Sequence, residues 1–437
     1  MGKPITVKEY DMIGCKEQYD AESYTCIEEQ DFENLKAFIH EFTADAESAD
    51  VLEFLRIGYK RNIGEIVTIK NYVGLIQMKG GFQIQVLPKI SFIDGEDKND
   101  EQTKKIFLRM LRSMKDFPGK AFSTASLQVD KMNLYELFIN MYLQEVRRLV
   151  KIGLKSAYIT TEDNLSCFKG KLQVSQHIRH NLAHKEQFYV AYDEYSQNRP
   201  ENRLIKATLL KLQKLTDSAE NAKEIRQLLI AFENVVASTN YQKDFSQVII
   251  NRSTKAYADI LVWSKIFLTN KSFTTFSGST TSRALLFPME SVYESYVAQQ
   301  LKKVMCPVGW EVSTQDKGQY LFYTENERKF ALRPDIVMTK ADKTIVMDTK
   351  WKRLNNNPKK NYGISQADMY QMYTYSKKYK ADDIWLLYPL NEEMKEYQDC
   401  GLHFNSGDSG IKTQVHIFFV DVANIEESLE QLKDMIS

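Results

Sequence analysis

The sequence has few cysteines, no long apolar run and no excess of charge of either sign. Its five cysteines are scattered without a CxxC pair, which excludes a cysteine-rich zinc site and a disulfide framework and indicates a reducing compartment. It has no stretch of about 18 apolar residues and no signal-peptide core, so we expect no membrane contact and a cytoplasmic location. Lys plus Arg and Asp plus Glu both number 58, so contact with a polyanion would have to come from local clusters.

The residues that are present predict a multidomain α+β protein. The chain has 437 residues, of which 43% are hydrophobic and 27% charged, a globular composition long enough for two or three domains. Composition and periodicity divide it into a mixed β-rich N-terminal domain (1–104), a helical middle region (105–270), a Ser/Thr/Gly-rich linker (271–283) and a C-terminal α/β domain (284–437).

Several elements have clear local signals. We expect a helix near Asp31–Phe42 and a hairpin around Gly80-Gly81, between the runs "YVGLIQM" and "FQIQVLP". Asn133 and Ser365 are placed to cap the starts of two further helices. Between these helices and the C-terminus, apolar runs such as "IWLLYPL" and "VHIFFVDV" predict strands.

The segment "RPDIVMTKADKTIVMDTKWK" keeps charges in otherwise apolar strands. Asp348 and Lys350 are two residues apart and project from one face of a strand, and Asp335 lies on the expected partner strand. Two neighbouring carboxylates repel unless a cation joins them, and oxygen-only ligands favour Mg²⁺ over zinc. The alternative is a surface salt bridge between Asp348 and Lys350 on an edge strand. Pro334 before Asp335 and the apolar run Ile345–Met347 favour the metal site.

This pattern resembles the PD-(D/E)xK nuclease superfamily. Pro334-Asp335 matches its proline-aspartate, and "DTK" from Asp348 matches its acid-x-lysine. "QMYTY" resembles the Q-x-x-x-Y element of several branches, and "MESVYESYV" offers a first-helix glutamate, Glu294, with Glu290 as the alternative. The resemblance implies these roles: metal binding by Asp335, Asp348, the Thr349 carbonyl and Glu294; action on the attacking water by Lys350; positioning by Gln371 and Tyr375.

The likeness narrows to McrC, the nuclease subunit of McrBC-type restriction systems. "LRPDIV", "MDTKWK" and "DMYQMYTY" carry it in the C-terminal domain, and "YVGLIQMKGGFQIQVLPKI", "FKGKLQVSQHIRHN" and "ENRLIKATLLKL" extend it upstream. The resemblance implies an Mg²⁺-dependent endonuclease, with Mn²⁺ as the second choice of ion, that cleaves methylcytosine-containing foreign duplex DNA. It also implies docking of residues 1–270 onto a hexameric McrB-like AAA+ GTPase that binds the GTP. The sequence itself contains no GxxxxGK[ST] loop.

Two clusters of polar residues have weaker signals. Lys352, Arg353, Lys359 and Lys360 bracket the metal motif and could hold a DNA backbone without reading bases, although such runs are often only solvated surface. In "QHIRHNLAH", three histidines share a helical face as metal ligands do, but a polar helix face is the preferred interpretation. These histidines are His177, His180 and His184.

Two other functions remain open at this stage. One is a related PD-(D/E)xK nuclease of repair or of sequence-specific restriction, without dependence on modified bases. The other is a non-catalytic subunit that activates an AAA+ ring. The intact acid-acid-lysine set counts against the second, because an idle site has no reason to keep charges in apolar strands.

Overall fold

The chain folds into two compact units that differ from the divisions expected from composition. The structure, a computed structural model, describes residues 5–15, 24–44, 55–61, 63–78, 82–90, 100–115, 117–118, 133–269, 283–324, 327–381, 383–407 and 413–436. The middle unit comprises Ala121–Thr275, and the outer unit combines Gly2–Lys120 with Phe276–Ser437. The N-terminal and C-terminal parts, treated separately above, therefore share one unit. Most of the expected linker lies outside the described residues.

The N-terminal part of the outer unit is β-rich, as predicted. One sheet has the strand order β3-β2-β5-β4, and a second contains β1, β7 and β6. The β6 and β7 strands pair antiparallel as expected for a hairpin, although Gly80-Gly81 lies outside the described residues. The expected helix falls within α1. The elements are β1 Ile5–Lys8, β2 Met12–Gly14, β3 Tyr24–Cys26, α1 Glu29–Ala44, β4 Leu55–Lys60, β5 Gly64–Ile69, β6 Tyr72–Gln77, β7 Gln83–Leu87 and α2 Asp100–Leu111.

The middle unit is helical but also contains a sheet that periodicity does not reveal. Asn133 caps α3 as predicted, because its side chain accepts a hydrogen bond from the Glu136 N–H. The region predicted as helical also holds three strands, since β8 and β10 pair antiparallel over nine residues and β9 joins β10. The elements are α3 Leu134–Ile152, β8 Ala157–Leu165, β9 Lys171–Leu172, α4 Val174–Asn181, β10 Phe188–Ser196, α5 Pro200–Gln213, α6 Ala219–Ala231, α7 Tyr241–Gln247 and α8 Ala258–Thr269.

The C-terminal part of the outer unit is built on a mixed six-stranded sheet, in the order β12-β15-β16-β17-β19-β18. The strands β16, β17 and β19 run parallel, and the other pairings are antiparallel. The elements are β11 Arg283–Pro288, α9 Met289–Met305, β12 Glu311–Thr314, β13 Tyr320–Tyr323, β14 Arg328–Ala331, β15 Ile336–Lys340, β16 Lys343–Thr349, α10 Gln366–Tyr379, β17 Asp383–Pro389, β18 Leu402–Asn405, β19 Gln414–Val420 and α11 Ile425–Ile436.

Strand β11 explains why the two ends of the chain form one unit. It pairs antiparallel with β6 and so completes the N-terminal sheet as β1-β7-β6-β11. Gly74 in β6 has a φ of +136°, and a Cβ there would lie 2.0 Å from the Leu285 carbonyl oxygen. Only glycine allows this close approach of the two strands.

The hydrophobic core under α10 surrounds the strand face that carries the acidic motif. Val346 of β16 is buried with Leu386 of β17 and with Met372 and Tyr375 of α10. Because side chains alternate along a strand, Asp348 lies on the same face as Val346. Its carboxylate therefore stands at the end of an apolar face. No helix in the described parts of the chain is both long and apolar enough to span a membrane.

Candidate active site

The β15–β16 hairpin brings the two predicted aspartates together. Ile336 pairs with Met347 at the open end of the hairpin, so Asp335 and Asp348 occupy the next facing positions. Thr349 donates from both its backbone N–H and its Oγ1 to Asp335 Oδ2, at 2.7 Å each. Strand pairing thus fixes the orientation of Asp335 beside the Asp-Thr-Lys motif.

Asp348 is a buried carboxyl group with a conflict of charges around it. The residue is only 2% exposed, and its Oδ2 lies 2.7 Å from Lys350 Nζ. Burial, followed by repulsion from Asp335, raises the pKa of Asp348 to about 7, although Lys350 opposes the shift. Burial also raises the pKa of Asp335, against the hydrogen bonds from Thr349. A cation between these carboxylates would relieve their repulsion.

Lys350 is held as an ammonium ion. Burial lowers its pKa, but the neighbouring Asp348 and Asp368 carboxylates outweigh this, so the pKa is raised overall. Its Nζ donates to Gln371 Oε1 at 3.1 Å and lies 3.8 Å from Asp368 Oδ1. A protonated lysine can stabilise negative charge on a phosphate or protonate a leaving group.

Gln371 connects the lysine with the acid and with α10. Its Nε2 donates to Asp348 Oδ1 at 3.3 Å and to the Tyr375 hydroxyl at 2.8 Å, as the four-residue helical spacing allows. Ser365 caps the start of α10 by accepting from the Asp368 N–H, as predicted. Burial raises the pKa of Tyr375 to about 12, which keeps its hydroxyl protonated.

The structure separates the two candidate glutamates of α9. Glu294 Oε1 accepts from Gln315 Nε2 at 3.0 Å, and the Gln315 N–H donates to the Asp335 carbonyl oxygen at 2.9 Å. Burial, followed by repulsion from Asp335, raises the pKa of Glu294 to about 7. Glu290, one turn earlier, instead accepts from Asn71 at 3.2 Å and lines a cavity of about 540 Å³. Glu294 therefore accompanies Asp335, and Glu290 does not.

The donor set fits magnesium better than a metal that needs a complete protein cage. Within the described ranges, no three His, Cys, Asp or Glu side chains are clustered as a ready-made metal centre. Mg²⁺ is commonly held by one or two carboxylates together with water and substrate phosphate. Asp335 and Asp348 would supply that minimum, and their carboxylates lie close enough for Asp335 to raise the pKa of Asp348.

Sequence comparison gives the family. Residues 67–389 match the family described as McrBC 5-methylcytosine restriction system component. The chain belongs to this family. No curated protein matches the chain.

The fold of this McrBC-family chain is shared with a solved structure. One chain comes from a refined half-complex of a tetradecameric assembly of Thermococcus gammatolerans McrB AAA+ hexamers with bound McrC. It has a TM-score of 0.70 at 18% identity, with 99% of this chain and 100% of that chain covered. A chain of the Thermococcus gammatolerans McrBC complex has a TM-score of 0.49 at 18% identity, with 70% and 87% covered.

The predicted DNA-binding cations lie on an exposed, folded loop that leads into α10. All four are exposed, and the loop is closed by a hydrogen bond from Asn355 N–H to the Tyr362 carbonyl at 3.0 Å. Lys352 Nζ also donates to the Gly363 carbonyl at 2.6 Å. The loop is thus internally bonded. The cations are Lys352, Arg353, Lys359 and Lys360, and their contact with DNA stays a prediction.

The three histidines of the middle unit do not converge. His177 is bonded to Asn181 at 3.0 Å, and the His180 ring stacks on Tyr189 at 5.4 Å. His184 lies beyond the end of α4, where its Nδ1 is 3.2 Å from Glu186 Oε1. Each ring has its own local partner, which supports the interpretation as a polar surface.

Glu9 is a neighbour of the site that sequence reasoning missed. Its carboxylate is 0% exposed and accepts from the Trp351 indole N–H at 3.1 and 3.0 Å and from the Lys89 N–H at 3.1 Å. Trp351 directly follows Lys350, and its ring packs on Tyr293, next to Glu294, at 5.2 Å. The N-terminal segment therefore supports both sides of the site. The only local signal was an acid beside an aromatic residue in "KEYD".

Asp368 is a second missed neighbour. Its backbone N–H donates to the capping residue Ser365, and its Oδ1 lies 3.8 Å from Lys350 Nζ. Its position three residues before Gln371 places both on one helical face, so the Q-x-x-x-Y spacing could have indicated it.

Proposed function

We propose that this chain is the nuclease subunit of an McrBC-type restriction complex. It would be an Mg²⁺-dependent DNA endonuclease that cleaves methylcytosine-containing DNA and stimulates an AAA+ GTPase partner. The observation that carries the proposal is the buried set of Asp335, Asp348 and Lys350, with Lys350 linked through Gln371 to Tyr375. Burying charges in an apolar sheet costs free energy. Clusters of such charges with shifted pKa values are typical of binding and catalytic sites.

The nuclease role suits this chain better than the GTPase role. The sequence has no GxxxxGK[ST] phosphate-binding loop, so GTP hydrolysis would need another subunit. Support for such a subunit comes from the fold shared over 99% of this chain with a chain from an assembly of McrB AAA+ hexamers with bound McrC.

The chemistry proposed is hydrolysis of a phosphodiester by water. Asp335 and Asp348, with the Thr349 carbonyl and Glu294, would hold Mg²⁺ or Mn²⁺, and a bound ion lowers the pKa of water and neutralises phosphate charge. Asp348 would lose its proton when the ion binds, because the ion's positive charge would offset the burial and the repulsion from Asp335 that raise its pKa. Lys350 would donate hydrogen bonds to the phosphate in the transition state, and Gln371 would keep it in place.

We place the docking surface for the GTPase on the middle unit. Val174, Ile178 and Leu182 recur at four-residue spacing from the start of α4, and they are 59%, 58% and 78% exposed. Three large apolar side chains in one exposed row are unusual for a surface that meets only water. A partner that covers this row, named here the α4 row, would bury them.

The direct test is cleavage of methylated and unmethylated duplexes by the chain with and without its GTPase partner. We expect cleavage only with Mg²⁺ or Mn²⁺, the partner and GTP, and loss of cleavage in EDTA. Metal-independent cleavage would contradict the proposed site. Equal cleavage of unmodified DNA without GTP would favour the sequence-specific or repair nuclease, and GTPase stimulation with no cleavage would favour the non-catalytic activator.

A further inference from the structure

Strands β13 and β14 form a separate two-stranded hairpin whose base is fixed at the candidate active site. The hairpin is not part of the six-stranded sheet, and it pairs from Tyr320 with Ala331 to Tyr323 with Arg328. Gln315, just before it, donates from its N–H to the Asp335 carbonyl just after it. The Gln315 side chain also donates to Glu294. The hairpin of β13 and β14 is named here the aromatic hairpin. The chain on both sides of its base therefore lies beside Glu294 and Asp335 of the candidate site.

The aromatic hairpin exposes large rings that an isolated surface would not favour. Phe322 and Tyr323 are each 60% exposed, and Phe330 is 72% exposed. Phe322 and Phe330 contact each other edge-to-face at 6.1 Å, so they form one continuous apolar patch. Phenylalanine is among the residues most often buried, and clustered exposed rings mark interaction surfaces.

Cations lie over two tyrosine rings of the hairpin and over a third tyrosine ring on α10. Arg328 lies over the Tyr320 ring at 5.7 Å, and Lys378 of α10 lies over the Tyr323 ring at 5.6 Å. On the same helix, Lys377 lies over the Tyr373 ring at 5.0 Å. One acid of the hairpin, Glu327, pairs with Lys329 and offsets part of this charge.

The position along α10 sets the distance scale. Lys378 follows Gln371 by seven residues, which is about 10 Å along a helix at 1.5 Å per residue. Because Lys378 lies over the Tyr323 ring, this rise places that contact with the hairpin on the order of 10 Å along α10 from Gln371 of the candidate site. Exposed rings beside cations are the combination by which proteins bind bases and backbone of an unpaired strand.

We propose that the aromatic hairpin is a DNA-binding arm of the nuclease that stacks Phe322 and Phe330 on unstacked bases next to the cleavage site. This inference rests on the proposed nuclease function and adds the feature of DNA that the arm recognises. The surrounding cations favour a polyanion over a neutral protein surface as the occupant.

The test compares DNA binding by full-length variants, measured by fluorescence anisotropy in EDTA. The probes are a fully paired duplex and the same duplex with a central unpaired bubble. The key variant is Phe322→Ala/Phe330→Ala, and Phe322→Trp/Phe330→Trp retains stacking rings. Tyr59→Ala is the matched control, since Tyr59 is 79% exposed on β4 of the same unit.

We expect the double alanine variant to bind the bubble at least about tenfold more weakly, because the loss of stacking on even one aromatic ring weakens binding by about that factor. The reduction on the paired duplex should be smaller, and the tryptophan variant and the control should bind as the wild type does. A thermal transition at the wild-type temperature, measured in parallel, shows that each variant is folded.

Unchanged binding and cleavage by the alanine variant would overturn the inference while leaving the nuclease function intact. The inference would also be overturned if the alanine variant bound DNA as the wild type does but no longer stimulated the GTPase. That result would favour a protein-binding surface. If the wild-type complex cut no DNA at all, the proposed function itself would be contradicted, whatever the hairpin variants bind.

Discussion

Two antiparallel strand pairs of this molecule carry acidic residues under opposite conditions. In the middle unit, Glu162 and Asp163 of β8 and Asp193 of β10 are exposed, and Asp193 accepts from Thr160 at 2.7 Å. In the outer unit, Asp348 of β16 is 2% exposed. Water solvates the first set at little cost, whereas burying a carboxylate costs several kcal/mol unless its partners compensate.

The partners of Asp348 do not compensate fully. Lys350 is close, but Asp335 repels the same carboxylate, and the pKa of Asp348 is raised as a result. A salt bridge that served only stability would lower the pKa of its acid. The two strand pairs therefore differ in their electrostatics: water solvates the exposed acids, whereas the buried pair retains an unfavourable interaction between its two carboxyl groups.

The largest expected effect is a loss of cleavage, proposed for the outer unit, without a loss of GTPase stimulation, proposed for the middle unit. Asp348→Asn or Lys350→Ala should lower cleavage by the complex about a hundredfold to a thousandfold, because the first removes a carboxylate that would hold the metal ion and the second removes the cation that would stabilise the reacting phosphate. GTPase stimulation should stay within about twofold of the wild type, since the docking surface is placed elsewhere. Single-turnover cleavage and GTP hydrolysis measure the two effects.

Asp342→Asn is the control for these variants, because Asp342 is exposed in the turn of the same hairpin. Full cleavage by the Asp348→Asn protein would show that the buried carboxylate is structural and that the two strand pairs do not differ in function.

Substitutions in the α4 row should have the opposite effect: they should lower GTPase stimulation and leave the candidate active site unchanged. Ile178→Asp/Leu182→Asp should reduce GTPase stimulation about tenfold or more, because two charges would replace apolar contacts at the interface. Metal binding by the outer unit should not change. Ile249→Asp is the control, since Ile249 is 69% exposed in the same unit. If stimulation persisted in the double variant, docking would lie elsewhere in residues 1–270.

The parts of the site that rest on local patterns could be predicted from sequence. The period of two in β16 placed Asp348 and Lys350 on one face, and the cap at Ser365 marked the start of α10. By contrast, β8 and β10 carry polar residues on largely exposed surfaces, so no apolar alternation marked them as strands.

Long-range contacts left no local signal. Glu9 supports Trp351 from the other end of the chain. Glu294 was preferred on resemblance, but helical periodicity places Glu290 on the same face. Only tertiary partners, Asn71 for one glutamate and Gln315 for the other, distinguish them.

A moderate effect is expected on stability as pH changes. The pKa of Asp348 is about 7 in the folded chain against an ordinary value of 3.8, so between these values the folded chain holds a proton that the unfolded chain has released. Stability from this group is therefore present below about pH 4 and is lost as pH rises through about 7. Metal-free Asp348→Asn protein should be more stable than wild type at pH 8. The expected net gain is about 1–2 kcal/mol, because the loss of the ion pair with Lys350 offsets part of the benefit.

Thermal unfolding of both proteins at pH 5 and pH 8 in EDTA measures this difference. The advantage of the variant should shrink at pH 5, and Mg²⁺ should raise the melting temperature of the wild type alone. A stability advantage of the variant that is the same at both pH values would mean that Asp348 is ionised in the folded chain at both. It would then take up no proton on folding.

The smallest expected effect concerns how the outer unit holds DNA. Lys359 and Lys360 are exposed on the loop that leads into α10, where they are point charges suited to phosphate but not to reading base edges. Lys359→Ala/Lys360→Ala should therefore weaken binding equally on methylated and unmethylated duplexes, by about three- to tenfold. The slope of log affinity against log salt should flatten by about 0.9 for each phosphate that the loop no longer neutralises.

Binding of both duplexes over a salt series measures this, with Lys185→Ala/Lys255→Ala as a control that removes the same charge from exposed lysines of the middle unit. An unchanged slope would place the loop off the DNA path. Discrimination between the two duplexes by more than about tenfold, or ~1.4 kcal/mol, would mean that this chain reads the modified base itself, since phosphate contacts carry no sequence information.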